Sequence, residues 1–481
     1  VATSRLEVDL SAVSRNVGII REALEAGRAA SSAALDPAPQ GGPARIPVRA
    51  AVCAVVKQDA YGLGAPRVGK ALAALGAEML AVYSLDESRA FVDAPIQTPI
   101  LVLAPVRHID RADTIYRLAV RGRLHLTVHD ADQAQELAAT AARLGCRIPV
   151  HVALDTGMSR GGSLEPQATR TVELVLTSSR LTLAGVMTHF SSPACDDAFT
   201  REQAKAFRAW IESIRPSLPA VTGGAGLLIH AANTAATLRS RSLHASMVRI
   251  GQGLYGYGGE GFADPLAVEF ASFGKKLQPA VRWTSSITHV HEVPKGWPVG
   301  YGRTFRAPRP TKVALVPVGY AEGYPIALSN AASVAVMPHD FDRPRTGVAP
   351  NASPTPGPAA ERPAFAPVIG RVSMDQLTID VTGLPERFAH PGAEVELIGT
   401  DPQAPHHLPT LAKAAATITH ELLCRISPKV ERVYVFSGAR TPGASDDHLQ
   451  TSPAARSATS PAARLGLSSI ASAPLSAPLA G

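Results

Sequence analysis

Short apolar runs alternate with longer amphipathic stretches over the first half of this chain. Mostly apolar runs at 51–56, 79–82, 100–103, 125–128, 149–154, 183–188, 227–230 and 247–254 read as eight buried strands. Between most of them lie Ala-, Leu- and Arg-rich segments such as 68–75, 132–144 and 201–214, which read as helices. Eight buried strands with helices between them predict an α/β fold whose N-terminal part is a (β/α)8 TIM-like barrel.

From about residue 275 the pattern changes. Segments 281–291, 312–318, 368–372, 377–381 and 395–398 are β-rich and bounded by Pro and Gly. They predict a second, mostly-β domain with one helix at 408–423 and a last strand at 429–436. The expected organisation is a barrel over 1–270, a C-terminal β domain over 271–437 and an unstructured tail over 438–481. Two inserts, 27–45 in the barrel and 338–363 in the β domain, share the tail's Ala/Pro/Ser/Gly bias. All three lack an apolar pattern able to offset the entropy of ordering them.

Composition narrows the class. In 481 residues, 46% are hydrophobic and 18% charged, which excludes a wholly disordered chain. No run is apolar for the ~18 residues a membrane span needs. The net charge of +7 comes from scattered basic residues with no Lys/Arg block, so neither nucleic acid nor membrane is expected as a partner. Four cysteines, Cys53, Cys146, Cys195 and Cys424, form no CxxC pair, and no metal site is expected. They suit a reducing compartment, hence a cytoplasmic protein. The chain opens on Val1 rather than Met, so a removed leader and a periplasmic location stay open.

Chemistry enters at the ends of the apolar runs. Lys57 follows the first one, in AVVKQDAYGLG. Barrel enzymes carry reactive groups at the C-terminal ends of strands, and a lysine backed by valines there is partly desolvated. That suits it to Schiff-base chemistry, although a lysine alone at a strand end is more often an ordinary cation. HAANTAA (230–236) and VRIGQGLYG (248–256) follow or contain the seventh and eighth runs, where barrels often hold a phosphate. Thr234 offers a hydroxyl there, and Gly251 and Gln252 offer backbone donors. A capped helix and a glycine turn would explain each motif singly; their joint placement favours a phosphate cradle.

AVVKQDAYGLG, DTGMSR, THF, HAANTAA, VRIGQGLYG, GYGRTF, GYAEGY and GRVSMDQ occur in this order between Arg5 and Tyr434. In this the chain resembles the alanine racemases, fold-type III pyridoxal 5'-phosphate (PLP) enzymes with a barrel and a C-terminal β domain. The resemblance implies a homodimer with shared active sites, a small amino acid as substrate, and roles for particular residues. Lys57 looks like the Schiff-base lysine and the base on one substrate face. Tyr61, Thr234, Gly251 and Gln252 look like phosphate ligands. His189 looks like the imidazole lying against the pyridine ring, and Arg249 like the arginine facing its nitrogen. Arg160 looks like the arginine near the phenolic oxygen and the substrate carboxylate. Tyr301 looks like the second base. Met374 resembles the residue whose backbone N–H binds that carboxylate, and Tyr320 a tyrosine lining the site. These last three would come from the partner subunit.

Elementary chemistry agrees with this set. Racemisation takes the α-proton from one face and returns one to the other, so one base on each face is the direct solution. A tyrosine near pKa 10 is a poor base at neutral pH without cationic or hydrogen-bonding neighbours, a role open to Arg249 and His189. An arginine opposite the ring nitrogen disfavours its protonation and weakens the cofactor as an electron sink. That favours reprotonation over transamination.

Four positions depart from the family pattern. Ala153 stands where a lysine, often carbamylated, commonly holds the arginine of DTGMSR; a carboxylate such as Asp155 or a bound anion is left as its replacement. His420 stands where a tyrosine narrows the pocket and touches the phosphate. Ser373 replaces a common cysteine, and Gly300 a serine. Interconversion of L- and D-alanine is therefore the first expectation, for peptidoglycan precursor supply or for degradation. A broad-specificity racemase acting on serine, lysine or arginine is the alternative. A fold-type III decarboxylase and a non-catalytic PLP-binding protein fit less well, because of Tyr301, SMDQ and the β domain.

Overall fold

A computed structural model describes residues 3–26, 50–218, 226–258, 268–338 and 362–436. The expected insert 27–45, residues 339–361 of the insert at 338–363, and the tail 438–481 lie outside the described residues.

Eight parallel strands close into a barrel: Ala51–Val55, Met79–Val82, Ile100–Val102, Leu124–Val128, Ile148–Ala153, Leu181–Met187, Leu228–His230 and Met247–Ile250. The first pairs with the eighth through Ala51–Met247 and Cys53–Arg249, which completes the ring. The expected strands correspond one to one, with ends differing by a few residues. Met79–Val82 and Ile100–Val102 are buried at every position, as strands covered on both faces must be.

The outer helices show why these segments coil. Ala131–Leu144 starts where the Asp130 carboxylate accepts the Gln133 N–H at 2.7 Å. It stops at Gly145, whose φ of 71° ends the hydrogen-bond ladder. Ala134, Leu137, Ala141 and Leu144 share its buried face. Asp197–Ile214 is capped in the same way by Asp196 and buries Phe207, Trp210, Ile211 and Ile214. Each large apolar side chain so buried contributes about 1.5–3 kcal/mol. No helix among the described residues is long and apolar enough to cross a membrane.

The second half is sheet-rich. Its largest sheet has six strands in the order Ala364–Pro367, Ser333–Val336, Glu394–Ile398, Val281–Ser286, Ser4–Asp9, Glu431–Val435. A three-stranded sheet (His289–Val293, Thr311–Val316, Leu377–Asp380) and a small hairpin (Pro298–Val299 with Phe305–Arg306) complete it.

Three expectations change here. The N-terminal segment was expected with the barrel, but Ser4–Asp9 forms a strand between Val281–Ser286 and Glu431–Val435. The strand at 368–372 falls instead at Ala364–Pro367, because Gly370 turns the chain with φ 73° and Val368 makes only an isolated bridge to Ile379. The helix at 408–423 is two helices, Leu408–Ala414 and Thr419–Arg425. Ala416 has φ 52°, and the β-branched run Thr417–Ile418–Thr419 does not continue a helix readily.

Candidate active site

The strand Ala51–Val55 ends at Val56, and Lys57 begins a tight turn, Lys57–Gly62. Gln58, Asp59, Ala60 and Tyr61 all have φ between 52° and 62°. Four consecutive left-handed residues that are not glycine are costly, and such conformations cluster where function fixes the backbone. The turn is held by Ala60 N–H to Val56 O (2.9 Å) and Gly64 N–H to Asp59 O (2.9 Å). The Asp59 carboxylate accepts the Ala65 N–H at 2.7 Å, starting the next helix. Lys57 is thereby half-buried at the barrel mouth. Burial first, and then the nearby Arg160 charge, holds its ammonium below the usual lysine range.

Tyr61 is buried, its ring 5.2 Å from Tyr255 and 5.6 Å from His420, with its hydroxyl directly over Gly251. Burial pushes its phenol up, so it stays protonated. Thr234 opens the short helix Thr234–Arg239 after the seventh strand, capped by the Asn233 side chain accepting from Ala236 N–H at 3.0 Å. The Thr234 hydroxyl accepts the N–H groups of Gly251 (3.2 Å) and Gly253 (3.4 Å), so the turns after strands seven and eight are tied together. Gln252 opens the last of these turns, Gln252–Tyr255. Tyr61, Thr234, Gly251 and Gln252 therefore stand at one end of the mouth.

Arg249, on the eighth strand, is only 3% exposed. Its Nη1 donates to His230 Nδ1 (2.7 Å) and His230 O (3.0 Å). Its Nη2 donates to Thr188 O (2.8 Å), His189 Nδ1 (2.9 Å) and Ala231 O (3.0 Å). Both terminal nitrogens are thus committed within the protein. Burial lowers this guanidinium to about 10, so it remains a cation at neutral pH. Burial and the Arg249 charge keep His189 neutral. Cys53, paired opposite Arg249 in the barrel, is a thiol pushed up to about 12 by burial.

Arg160 lies in an exposed turn after the fifth strand. Its charge is felt at Lys57, His189 and Arg249, which places it towards the same mouth. Ala153, at the end of that strand, is buried and offers no charge. The Asp155 carboxylate accepts the N–H groups of Gly157 (2.9 Å), Met158 (2.9 Å) and Ser159 (3.1 Å), so it shapes the turn rather than holding Arg160. His420 faces Tyr61 from the helix Thr419–Arg425, and burial with the Lys57 charge lowers its pKa.

The remaining three residues form a separate group. Tyr301 stands in the turn of the hairpin, where Gly300 has φ 71° and a Cβ would come within 2.9 Å of the Arg371 nitrogen. Gly300 is therefore needed by the backbone. Tyr320 N–H donates to Ser373 O (3.0 Å) and Ala321 N–H to Met374 O (3.0 Å), which brings Tyr320 and Met374 side by side. Tyr301 is 72% exposed, Met374 54% and Tyr320 42%.

Sequence reasoning singled out neither Cys424 nor a set of barrel histidines. Cys424 sits behind Gly62 and feels the Lys57 charge; helix-to-turn packing placed it there, and no motif signals it. His125, His151 and His230 lie on strands four, five and seven and reach Arg249. Their signal was a histidine in each of three runs otherwise apolar.

The fold and this constellation define a barrel-plus-β-domain enzyme with a lysine at the mouth. Comparison with known proteins agrees. Residues 44–258 match the family profile for the alanine racemase N-terminal domain, and residues 280–434 that for its C-terminal domain. An alanine racemase from Desulfovibrio desulfuricans is 33% identical over 385 residues, covering 80% of this chain and 91% of that protein. The structure of an alanine racemase from D-cycloserine-producing Streptomyces lavendulae superimposes with a TM-score of 0.70 at 26% identity, over 94% of this chain and 100% of that one. One from Bacillus anthracis with bound L-Ala-P does so with 0.70 at 26%, over 91% and 96%. This chain belongs to the alanine racemase family.

Proposed function

We propose that this protein interconverts L- and D-alanine on PLP, with Lys57 and Tyr301 as the bases on opposite faces of the substrate. The observation that carries the reading is the division of labour along the mouth. At one end Tyr61, Thr234, Gly251 and Gln252 offer hydroxyl and backbone donors suited to a phosphate. At the other, Arg249 has both terminal nitrogens held by protein acceptors, while among the described residues no acceptor meets its Nε–H. Lys57 stands between, with a depressed pKa. That donor set fits PLP end to end: phosphate cradle, reactive lysine, ring-nitrogen partner.

When bound, PLP supplies the electron sink that acidifies the substrate Cα–H. Lys57 Nζ holds or releases a proton on one face. Tyr301 Oη does so on the other. Arg160 and the Met374 N–H orient the substrate carboxylate, His189 supports the ring and Tyr320 lines the pocket. His420 stands beside Tyr61 at the phosphate end. Arg249, a cation, would oppose a proton on the ring nitrogen and so favour return of the proton over side reactions.

The exposed trio of Tyr301, Met374 and Tyr320 supports a homodimer in which these residues enter the partner's site. Trp297, Ile326 and Ile418, in the same half of the chain, are exposed as well. The test is direct. The PLP-loaded protein, given either enantiomer of alanine, should drive it to an equal mixture, followed by optical rotation. Carbon dioxide release with no change towards the racemate would favour decarboxylation instead.

A further inference from the structure

Barrel interiors are ordinarily filled by branched apolar side chains. Here a hydrogen-bonded line of imidazoles crosses that space. His125 Nδ1 is 2.9 Å from His151 Nε2, and His151 Nδ1 is 2.8 Å from His230 Nε2. His230 Nδ1 is 2.7 Å from Arg249 Nη1. His151 and His230 are fully buried and His125 is half-buried. The line is built, not incidental. His151 and His230 belong to strands five and seven, so their contact must pass the strand between them. That strand places Gly185 opposite His151 in the register, and a Cβ there would overlap His151 Nδ1.

Direction follows from chemistry. A guanidinium donates and never accepts. His230 Nδ1 must therefore be the acceptor, so His230 carries its proton on Nε2 and donates to His151 Nδ1. By the same step His151 donates from Nε2 to His125 Nδ1, and His125 keeps its proton on Nε2. His189, whose Nδ1 also accepts from Arg249, follows the same rule. A second proton on any member of the line would set two N–H groups face to face. The line cannot pass a proton to Arg249, which has no lone pair to receive it.

We propose that His125, His151 and His230 form a one-way relay of neutral imidazoles, each protonated on Nε2, which positions Arg249 towards the cofactor's ring nitrogen. These are positioning residues for the racemase chemistry, and the proposal rests on that reading for the role of Arg249. No carboxylate pairs with Arg249 among the described residues; the relay presents it with the negative end of aligned imidazole dipoles instead. Burial, the first cause in each case, holds all three histidines well below their usual range, His125 to about 4, which agrees with a neutral line.

The first test is ¹⁵N NMR of the holoenzyme labelled on histidine, with signals assigned by single substitutions. His125, His151 and His230 should each show a protonated Nε2 and an unprotonated Nδ1. A proton on Nδ1 of any of them overturns the relay. The reading needs no turnover, so its failure is separate from failure of the racemase assignment, which would appear as a cofactor adduct away from Lys57.

The second test compares His125→Leu with His125→Asn. Leucine leaves the buried His151 Nε2–H without an acceptor, whereas the asparagine oxygen takes the place of His125 Nδ1. The readout is racemisation events per pyruvate released. Pyruvate forms when alanine is oxidised as its amino group passes to PLP, which is reduced to pyridoxamine phosphate. His125→Leu should lower that ratio at least about fivefold, from the loss of one buried hydrogen bond, while His125→Asn stays within about twofold of the parent. Equal ratios in the two variants, both lowered or both unchanged, would remove the relay's role.

Discussion

The two halves of the proposed site are made differently. At the barrel mouth Tyr61 and Arg249 are buried, and Arg249 and His189 are hydrogen-bonded within one chain. On the β half, Tyr301, Tyr320 and Met374 are set by backbone turns and hydrogen bonds, yet their side chains face outwards. One half is finished by its own fold; the other has geometry without enclosure. A proton-transfer site must exclude water to keep its electrostatics strong. The exposed half therefore reads as the part completed by a second copy, in keeping with a symmetric dimer that buries the same patch twice.

The sharpest cut is in the finished half. Lys57→Ala should abolish the borohydride-reducible PLP adduct and lower turnover by about 10³–10⁴-fold, the range for a positioned proton-transfer group. Peptide mapping of the reduced wild-type protein settles the residue, since an adduct on any other lysine sinks the assignment. Tyr301→Phe addresses the exposed half and keeps the ring while removing the oxygen. PLP should stay bound, turnover should fall about 10²–10³-fold, and solvent proton exchange should persist with one enantiomer only. Racemisation of both enantiomers at the parental rate would exclude the two-base scheme.

Mixing the two inactive variants joins the halves. If the sites are shared, the Lys57 of one chain would meet the Tyr301 of the other in a mixed dimer, and one of its two sites would be intact. Random exchange makes half the dimers mixed, and activity should recover to about a quarter of the parental level. Exchange demonstrated by differently tagged chains, with no recovery, would mean that each chain builds its site alone.

A smaller effect probes the charge at the mouth. Burial and then Arg160 depress the Lys57 pKa. Arg160→Gln removes the second cause, so the pKa should rise towards the ordinary lysine value. Lys57 must be neutral to attack PLP, so the rate of adduct formation by apoprotein should reach its plateau at higher pH than in the parent. A profile unmoved, or moved to lower pH, would show that Arg160 does not act on Lys57.

The finished half was also the legible half. Its strands are mostly apolar because both faces are covered, so they stand out without knowledge of their partners. Lys57 and Thr234 follow such runs, and Arg249 lies within one. The β half depends on pairings distant in sequence. Ser4 pairs with Ser285, and Arg5 with Glu431, so nothing local marks the first strand as part of that sheet. Gly370 and Ala416 redirect the chain through positive φ, which apolar periodicity does not register. The histidine relay escaped for a related reason. Its members lie on three different strands, and their convergence exists only once the barrel closes past Gly185.

The smallest expected effect lies where the pattern departs from the family. By the resemblance, His420 takes the place of a tyrosine and Ala153 that of a carbamylated lysine; His420 stands against Tyr61, and Ala153 is buried. A histidine ring fills less space than a tyrosine ring. An apolar pocket distinguishes one methylene by only about 1–3 kcal/mol, so a modest gain in room is enough to admit serine beside alanine. Alanine should remain the preferred substrate, with serine racemised measurably more slowly. His420→Tyr should then lower serine turnover relative to alanine by about 10-fold, with kcat/KM for alanine changed little. The ratio of the two kcat/KM values is the measurement. Strict alanine specificity in the parent, unchanged by His420→Tyr, would mean that neighbouring side chains refill the space, while leaving the division between the finished and the shared half of the site intact.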